Sequence, residues 1–278
     1  MFGQFSGHYE VTDNGSRNHY RLTDQGSRIG VKGAGIIDGQ REYTYLFEVA
    51  SDIAENNDVF GEVRQAWAGV RTADSEVRVG RHLSPTRVSV VPVDMFADQA
   101  ADQNKVLEGD KISDKSLVFL GHLNEFAYAL AFSVDDSNEH TATDLLVNYT
   151  NEQSYFSAAY LRGYDQQRVA RIAATYRFAA GHRLGAAAEY LRDTGTGDDH
   201  KAYVISAGYQ FNPKLLYKLQ LGANQSSAGG RTETLLGIGG DYALTDNTQL
   251  KLQYSVNKHT DHQDAEERTL SVGLVHKF

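Results

Sequence analysis

The chain of 278 residues has no cysteine, three prolines, two methionines and one tryptophan. The missing cysteine excludes a disulfide framework, a thiol nucleophile and a cysteine metal site. No stretch approaches the ~18 consecutive apolar residues that a membrane helix requires, so a helical membrane protein is excluded. A transmembrane β-barrel is not, because its strands give lipid only every second residue and carry a weak hydropathy signal. Basic clusters are absent as well. With 27 Lys and Arg against 36 Asp and Glu, a net charge of −9, no nucleic acid is expected as a partner. The opening Met1-Phe2-Gly3-Gln4-Phe5-Ser6-Gly7 holds neither a basic nor an apolar export region, so for an exported protein this sequence would be the mature form. There is no H-E-x-x-H and no nucleophile elbow, and no helix pattern follows Gly33, Gly35, Gly237, Gly239 and Gly240 to make a phosphate loop. An enzyme is not expected.

What the chain does have is 26 glycines, 16 tyrosines and a two-residue alternation along nearly its whole length. Phe126, Tyr128, Leu130 and Phe132 alternate with Glu125, Ala127, Ala129 and Ala131, and Leu250, Leu252, Tyr254 and Val256 with Lys251, Gln253, Ser255 and Asn257. A soluble sandwich would explain each strand alone. It explains less well why Tyr and Phe gather at strand ends, the placement that two membrane interfaces produce. About sixteen candidate strands follow one another, most of about 9–11 residues, the length a tilted membrane strand needs. Connections alternate between longer polar segments, such as Thr12 to Gln25 and Asp193 to His200, and brief turns such as Asn212-Pro213-Lys214. The fold expected is all-β, a single antiparallel transmembrane β-barrel spanning residues 1–278.

Leu83 to Lys115 is the one long interruption, with two of the three prolines and no alternation. Unpatterned connections longer than about 12–15 residues are usually functional or disordered. We expect a plug inside the barrel.

These residues resemble the Gram-negative general porins. Ser27-Arg28-Ile29-Gly30-Val31-Lys32-Gly33 is similar to the family's second strand, Arg64-Gln65-Ala66-Trp67-Ala68-Gly69-Val70 to its fourth, and Glu76-Val77-Arg78-Val79-Gly80-Arg81 to its fifth. Pro85, Val93-Asp94-Met95-Phe96-Ala97-Asp98 and Ala101-Asp102-Gln103-Asn104 resemble the third loop, and Val272 to Phe278 the closing strand. The resemblance implies a sixteen-stranded barrel in the outer membrane of a Gram-negative bacterium, in contact with lipid and lipopolysaccharide. It also implies a homotrimer, with a monomer left open by the short loops, that passes small hydrophilic solutes. Phe278 would be the signal read by the barrel-insertion machinery. The third loop would fold inward, with its acids facing a ladder of wall arginines. Ser116-Leu117-Val118-Phe119 lacks a ladder arginine, which implies a less polarised pore than in the best-known members.

The candidate constriction residues are Arg28, Lys32, Arg64, Arg78, Asp94, Asp98 and Asp102. If the aliphatic and aromatic parity faces lipid, Arg28, Lys32 and Arg78 point inward; an Arg on the lipid face at mid-depth costs roughly 2–4 kcal/mol. Arg64 shares parity with Ala66 and Ala68, against Gln65, Trp67 and Gly69, and its inward assignment rests on the resemblance. Across an aqueous gap of roughly 8 Å an Arg–Asp pair interacts by about 0.5 kcal/mol, enough for a transverse field without tight binding. No cofactor is expected; a calcium ion on Asp94, Asp98 and Asp102 is disfavoured against solvated acids because the D-x-D-x-D-G pattern is missing. The function expected is passive diffusion with a weak cation preference, from the excess of acids. The alternatives are a solute-selective channel or receptor barrel, and a soluble β-sandwich or adhesin.

Overall fold

The computed structural model describes the chain except residues 55–59, 135–140, 164–165, 179–180, 228–229, 231 and 261–264. Parts of the polar connections after Asp52, Asp135, Asp165, Gln225 and Thr260, and of the turn at Ala180, therefore lie outside the described residues. The strands in chain order are β1 (Phe2–Asp13), β2 (Asn18–Asp24), β3 (Arg28–Ile36), β4 (Glu42–Ser51), β5 (Phe60–Arg71) and β6 (Ser75–Leu83). A short helix α1 (Pro85–Val88) follows, then β7 (Ile112–Leu123), β8 (Phe126–Val134), β9 (Thr141–Thr150), β10 (Ser154–Arg162) and β11 (Gln167–Arg177). The series ends with β12 (Arg183–Asp193), β13 (Asp199–Asn212), β14 (Leu215–Ser226), β15 (Thr232–Thr245), β16 (Thr248–Thr260) and β17 (Ala265–Lys277).

Apart from β2 and β3, each strand pairs antiparallel with its neighbour in sequence, and β1 pairs with β17 from Gln4↔Lys277 to Asp13↔Arg268, which closes the sheet. Closure removes the free edge that hydrocarbon cannot satisfy. The 17 strands make sixteen staves. β2 and β3 both pair with β1, β2 from Gly7↔Asp24 upward and β3 at Phe2↔Gly30 to Gln4↔Arg28, so they are one stave broken at residues 25–27. The polar segment Thr12 to Gln25, expected as a loop, is therefore mostly wall. β1 runs on to Asp13, and its hairpin with β2 turns at residues 14–17, where Asn14 Oδ1 accepts from the Ser16 and Arg17 amides. Polar composition hid this strand because the hairpin stands above the apolar belt, with β2 exposed along Asn18 to Leu22.

The two faces follow from the alternation. Tyr43, Tyr45, Phe47, Leu250, Leu252, Leu270, Val272 and Leu274 are 41–53% exposed on the outside, where the apolar area is available to lipid. At the tight-turn end the rings form a girdle, with Phe126–Tyr149 and Phe5–Phe278 centroids 5.2 Å apart and Tyr176–Phe178 at 4.9 Å. Phe278 sits at the seam, exchanging backbone hydrogen bonds with Gly3 at 2.9 and 3.1 Å.

The largest apolar core lies between the wall and the connection from β6 to β7. Val90, Val93, Met95, Phe96, Ala101, Val106 and Leu107 pack on the small wall residues Ala173, Ala187 and Ala202, with Val204 and Leu235. Burying each large loop side chain is worth about 1.5–3 kcal/mol, which holds the loop against the wall.

Candidate functional site

The loop is tied to the wall on one side by hydrogen bonds. At its start, Ser84 caps α1 by accepting the Arg87 amide, and Thr86 donates both its amide, at 3.0 Å, and its hydroxyl, at 2.5 Å, to Asp144 of β9. Ser157 of β10 and Ser206 of β13 donate to the carbonyls of Ser89 and Val93. Gln220 of β14 accepts the Met95 amide at 2.9 Å and donates to the Ala101 carbonyl at 2.9 Å. Asn224 of β14 donates to Glu108, and Asn257 of β16 to the Ala100 carbonyl.

The tip reaches the broken stave. Arg28 Nη1 donates to Asp98 Oδ2 at 3.0 Å and to the Gly26 carbonyl at 2.9 Å. Gly26 has φ +83°, and a Cβ there would lie 2.6 Å from Asp98 Cγ. Both the left-handed backbone and the close approach require glycine, so the break at 25–27 is where the loop docks. Arg28 Nε is 3.8 Å from Glu48, and Arg64 Nε donates to Glu48 Oε1 at 3.0 Å. Asp98, Arg28, Glu48 and Arg64 thus alternate in sign. No wide gap separates Arg28 from the loop acid, contrary to the roughly 8 Å considered from sequence.

The other expected residues are placed as follows. Lys32 is exposed to the lumen on the Arg28 parity, its Nζ 5.2 Å from the Phe2 ring centroid. Arg78 faces inward between outward Val77 and Val79, donates to Glu76 at 2.7 Å and lies 3.9 Å over the Trp67 ring. Parity alone does not place Arg64, and the register shows why. Ala66 and Ala68 pair with the outward-facing Phe47 and Tyr45, whereas Gln65, Trp67 and Gly69 face in. A register shift between Glu48 and Val49 puts a bulge at Arg64, which turns its side chain inward out of phase.

Asp94 and Asp102 do not face the arginines. They share a hydrogen bond with each other under the loop; Asp94 Oδ1 also accepts from Gln220 at 3.2 Å and the Phe96 amide, and Asp102 accepts the Asp98 and Asn104 amides at 2.6 and 2.9 Å. Among the described residues no group of three or more His, Asp or Glu could hold a metal ion. Burial, then the charge of Asp94, pushes the Asp102 carboxyl up to about 8, and burial raises Asp94 too. Below the ordinary value of 3.8 folded and unfolded chains both hold the Asp102 proton; between 3.8 and about 8 only the folded chain does, so rising pH removes stability through this window. Melting temperatures of wild type and Asp102→Asn are therefore expected to coincide near pH 4. The variant gains an advantage that grows up to about pH 8 and then levels off.

Sequence reasoning missed the cations of the far wall. Arg171 of β11 is fully buried, donating to Asp110 at 2.6 Å, to the Thr86 carbonyl at 2.9 Å and, through Nε, to Glu189 at 2.7 Å. Lys218 of β14 pairs with Asp241 at 2.8 Å and lies 4.4 Å from the Phe96 ring centroid. Arg171 had a signal, since it shares parity with Val169 and Ala173 against outward Ile172. The loop's own Arg87 was also missed. A cavity of about 550 Å³ at the β1–β2 end includes Arg64 and Arg87 in its lining, and one of about 420 Å³ toward the turn at residues 72–74 includes Gln65 and Val88. The neighbours Arg64 and Gln65 of β5, and Arg87 and Val88 of α1, are thus divided between the two cavities.

A closed sixteen-stave barrel with a lipid-ready outside, a polar inside and a loop folded onto its inner wall defines an outer-membrane pore protein. A sequence profile described as Gram-negative porin matches residues 1–262, and the chain belongs to that family, whose place is the outer membrane. No curated protein matches it in sequence. Among solved structures, the anion-selective porin from Comamonas acidovorans is similar at TM-score 0.84 and 16% identity, covering 100% of this chain and 98% of that one. Salmonella typhi OmpF in complex with daunomycin follows at 0.79 and 16%, covering 100% and 96%. OmpT of Vibrio cholerae in its trimer form stands at 0.74 and 13%, covering 100% and 98%. At such identities the likeness concerns the fold.

Proposed function

We propose that the chain forms a water-filled channel for passive diffusion of ions and small hydrophilic solutes, assembled as a homotrimer, with Arg28, Arg64, Arg78, Asp98 and Arg87 at or near its narrowest part. The observation that carries this reading is the seating of the loop against β9–β16, with its tip on β3, which leaves the lumen along β4–β8 for passage. A likeness to the trimer form of OmpT supports the assembly; slow migration of unboiled protein on gels, lost on heating, tests it.

The cation preference expected from the net charge is not carried by the loop acids or by Glu48. Asp94 and Asp102 are withdrawn under the loop, Asp98 is paired, and Glu48 is buried between Arg28 and Arg64. In the cavity of about 550 Å³ Glu10 is paired with Arg21 and Asp98 with Arg28, and the other charges are Arg64, Arg87 and Lys105 against Asp24 and Glu267. We read the channel as weakly selective, leaning to anions. Planar bilayers should show stepwise conductance, and a silent bilayer from folded trimer would sink the channel reading. One unit charge at 4 Å in water is worth about 1 kcal/mol, so Arg87→Glu should shift the anion-to-cation permeability ratio about fivefold or more toward cations, read as a reversal potential in a salt gradient. An unchanged potential would remove Arg87 from the filter.

A further inference from the structure

Three arginines stand side by side on the outside of the wall. Arg162 of β10 faces Arg168 of β11 across the ladder, and Arg168 faces Arg192 of β12. All three are exposed and share the outward parity of Tyr160, Ala170 and Tyr190. Lys201 of β13, also exposed and opposite Tyr190, adds a fourth cation. Like charges directly opposite each other on neighbouring strands destabilise a sheet. Elsewhere on this rim opposite signs meet, with Arg268 facing Asp13 across the seam and Lys258 facing Glu266. In the row the acid is Asp199, 3.8 Å from Arg192, and among the described residues Arg162 and Arg168 have no acidic partner. Four cations against one carboxylate leave the row complementary to an anion.

The row lies at the end of the barrel where residues 194–198 join β12 to β13, opposite the tight turns, and outer-membrane barrels direct this end to the cell exterior. Tyr160 and Tyr190 come two residues below Arg162 and Arg192, about 6–7 Å along the strands, at the level of an interfacial aromatic belt. Arginines at this height meet the headgroups of the outer leaflet. Directly beneath them the outer wall is hollow. A cavity of about 480 Å³ is floored by Ala158, Ala170 and Ala188, flanked by Ile172, Tyr190 and Tyr203, and reaches Lys201 at its upper end. Ile172 and Tyr203 are 62% and 55% exposed, so the groove opens to lipid and not to the lumen. A lipid tail is as apolar as its neighbours in the bilayer, so the groove supplies packing and shape, and the choice among lipids falls to the cations.

We propose that the outer wall of β10–β13 is a binding site for a phosphorylated glycolipid of the outer leaflet, with its phosphates accepting from Arg162, Arg168, Arg192 and Lys201 and one acyl chain lying in the alanine groove. The planar guanidinium fork matches phosphate oxygens two at a time, and a phosphate between two arginines turns their repulsion into shared attraction. The site faces away from the lumen. It requires the barrel to sit in the outer membrane and does not depend on what the channel conducts.

Folded, full-length protein, freed of lipid in a neutral detergent, is titrated with lipid A, a diphosphorylated acylated disaccharide, and followed by native mass spectrometry. One lipid A per protomer should bind ahead of any other, about fivefold or more tightly than the monophosphorylated form, the factor that one unit charge pair at 4 Å is worth in water. Arg168→Gln should weaken this binding about fivefold or more, and the triple variant Arg162→Gln, Arg168→Gln, Arg192→Gln should lose the preference for the second phosphate. Arg268→Gln, on the same rim but opposite an acid, should leave it unchanged. Ala170→Phe fills the groove and keeps every cation, so it should weaken lipid A while leaving any binding of inorganic phosphate as it was. Melting separates a ligand site from a structural row. Arg168→Gln should raise the melting temperature of the lipid-free barrel by relieving the repulsion, and should reduce the rise that lipid A brings. Lipid A held equally by wild type and triple variant overturns the site. Inorganic phosphate bound as tightly as lipid A overturns it too, because the row would then serve a free anion and the groove nothing.

Discussion

Arg171→Met is expected to lower the melting temperature of the detergent-solubilised barrel and to turn a steady single-channel current into a noisy, larger one. A single guanidinium here joins three things. It binds Asp110 near the end of the loop, the carbonyl of Thr86 near its start, and Glu189 on the neighbouring stave. Glu189 in turn accepts the Glu108 and Gly109 amides at 2.9 and 3.2 Å, so both roots of the loop depend on one buried ion cluster. Removing the cation leaves two carboxylates in a site where Arg171 and Glu189 side chains are 0% and 2% exposed. Breaking a buried pair from one side costs about 3–5 kcal/mol, because the surviving charge stays buried without its partner. No backbone ladder passes through these side chains, so the sheet should stay closed and the damage should fall on the loop. The triple variant Arg171→Met, Glu189→Gln, Asp110→Asn takes away the uncompensated charges as well and should recover part of the melting temperature. A single variant with unchanged melting and current would mean that apolar packing alone seats the loop.

The barrel was legible because its signal is repeated. The same alternation recurs in most staves, and an error in one strand cannot undo the pattern. What failed was local. The inward place of Arg64 came from the resemblance and not from parity, because a bulge shifts the phase of β5 and a bulge leaves no mark in an alternation read residue by residue. β2 was read as loop because a stave rising above the lipid has no reason to be apolar. Asp94, Asp98 and Asp102 are spaced alike in sequence yet end in two environments. Asp98, at φ +60°, turns out toward Arg28, and the other two turn in toward β14. An irregular backbone has no period from which that difference could be read. Lys218 and Arg171 escaped notice because charge on the inner parity was taken as one solvated face, whereas the loop covers part of that face and converts it into a buried interface.

Gly237→Val should unseat the loop while strengthening the strand that carries it. Gly237 lies on the inner face of β15, and a Cβ there would stand 2.4 Å from Ala101 Cβ and 3.3 Å from the Phe96 ring. Neighbouring inner positions repeat the arrangement: a Cβ on Gly239 would stand 3.0 Å from Phe96, one on Gly222 2.8 Å from Val106 and one on Gly208 2.4 Å from Met95. These glycines form a smooth seat for the loop. Valine suits a strand better than glycine does, so the ladder of β15 with β14 and β16 gains from the change. The loop loses, since overpacking of this kind costs about 1–3 kcal/mol and the loop is the part free to move. Limited trypsin treatment separates the two effects. In the wild-type protein Lys105 sits in a tight turn, its amide donating to the Asp102 carbonyl at 3.1 Å, and the chain there should resist cleavage. The variant should be cut at Lys105 inside a barrel that still migrates as folded, and its channel current should change in the same preparation. Gly240→Val, in the same strand but with the nearest atom to a Cβ at 3.6 Å, should do neither. Equal resistance of both variants would show that the seat yields to the added side chain, and the tight spacing at Gly237 would then not be what positions the loop.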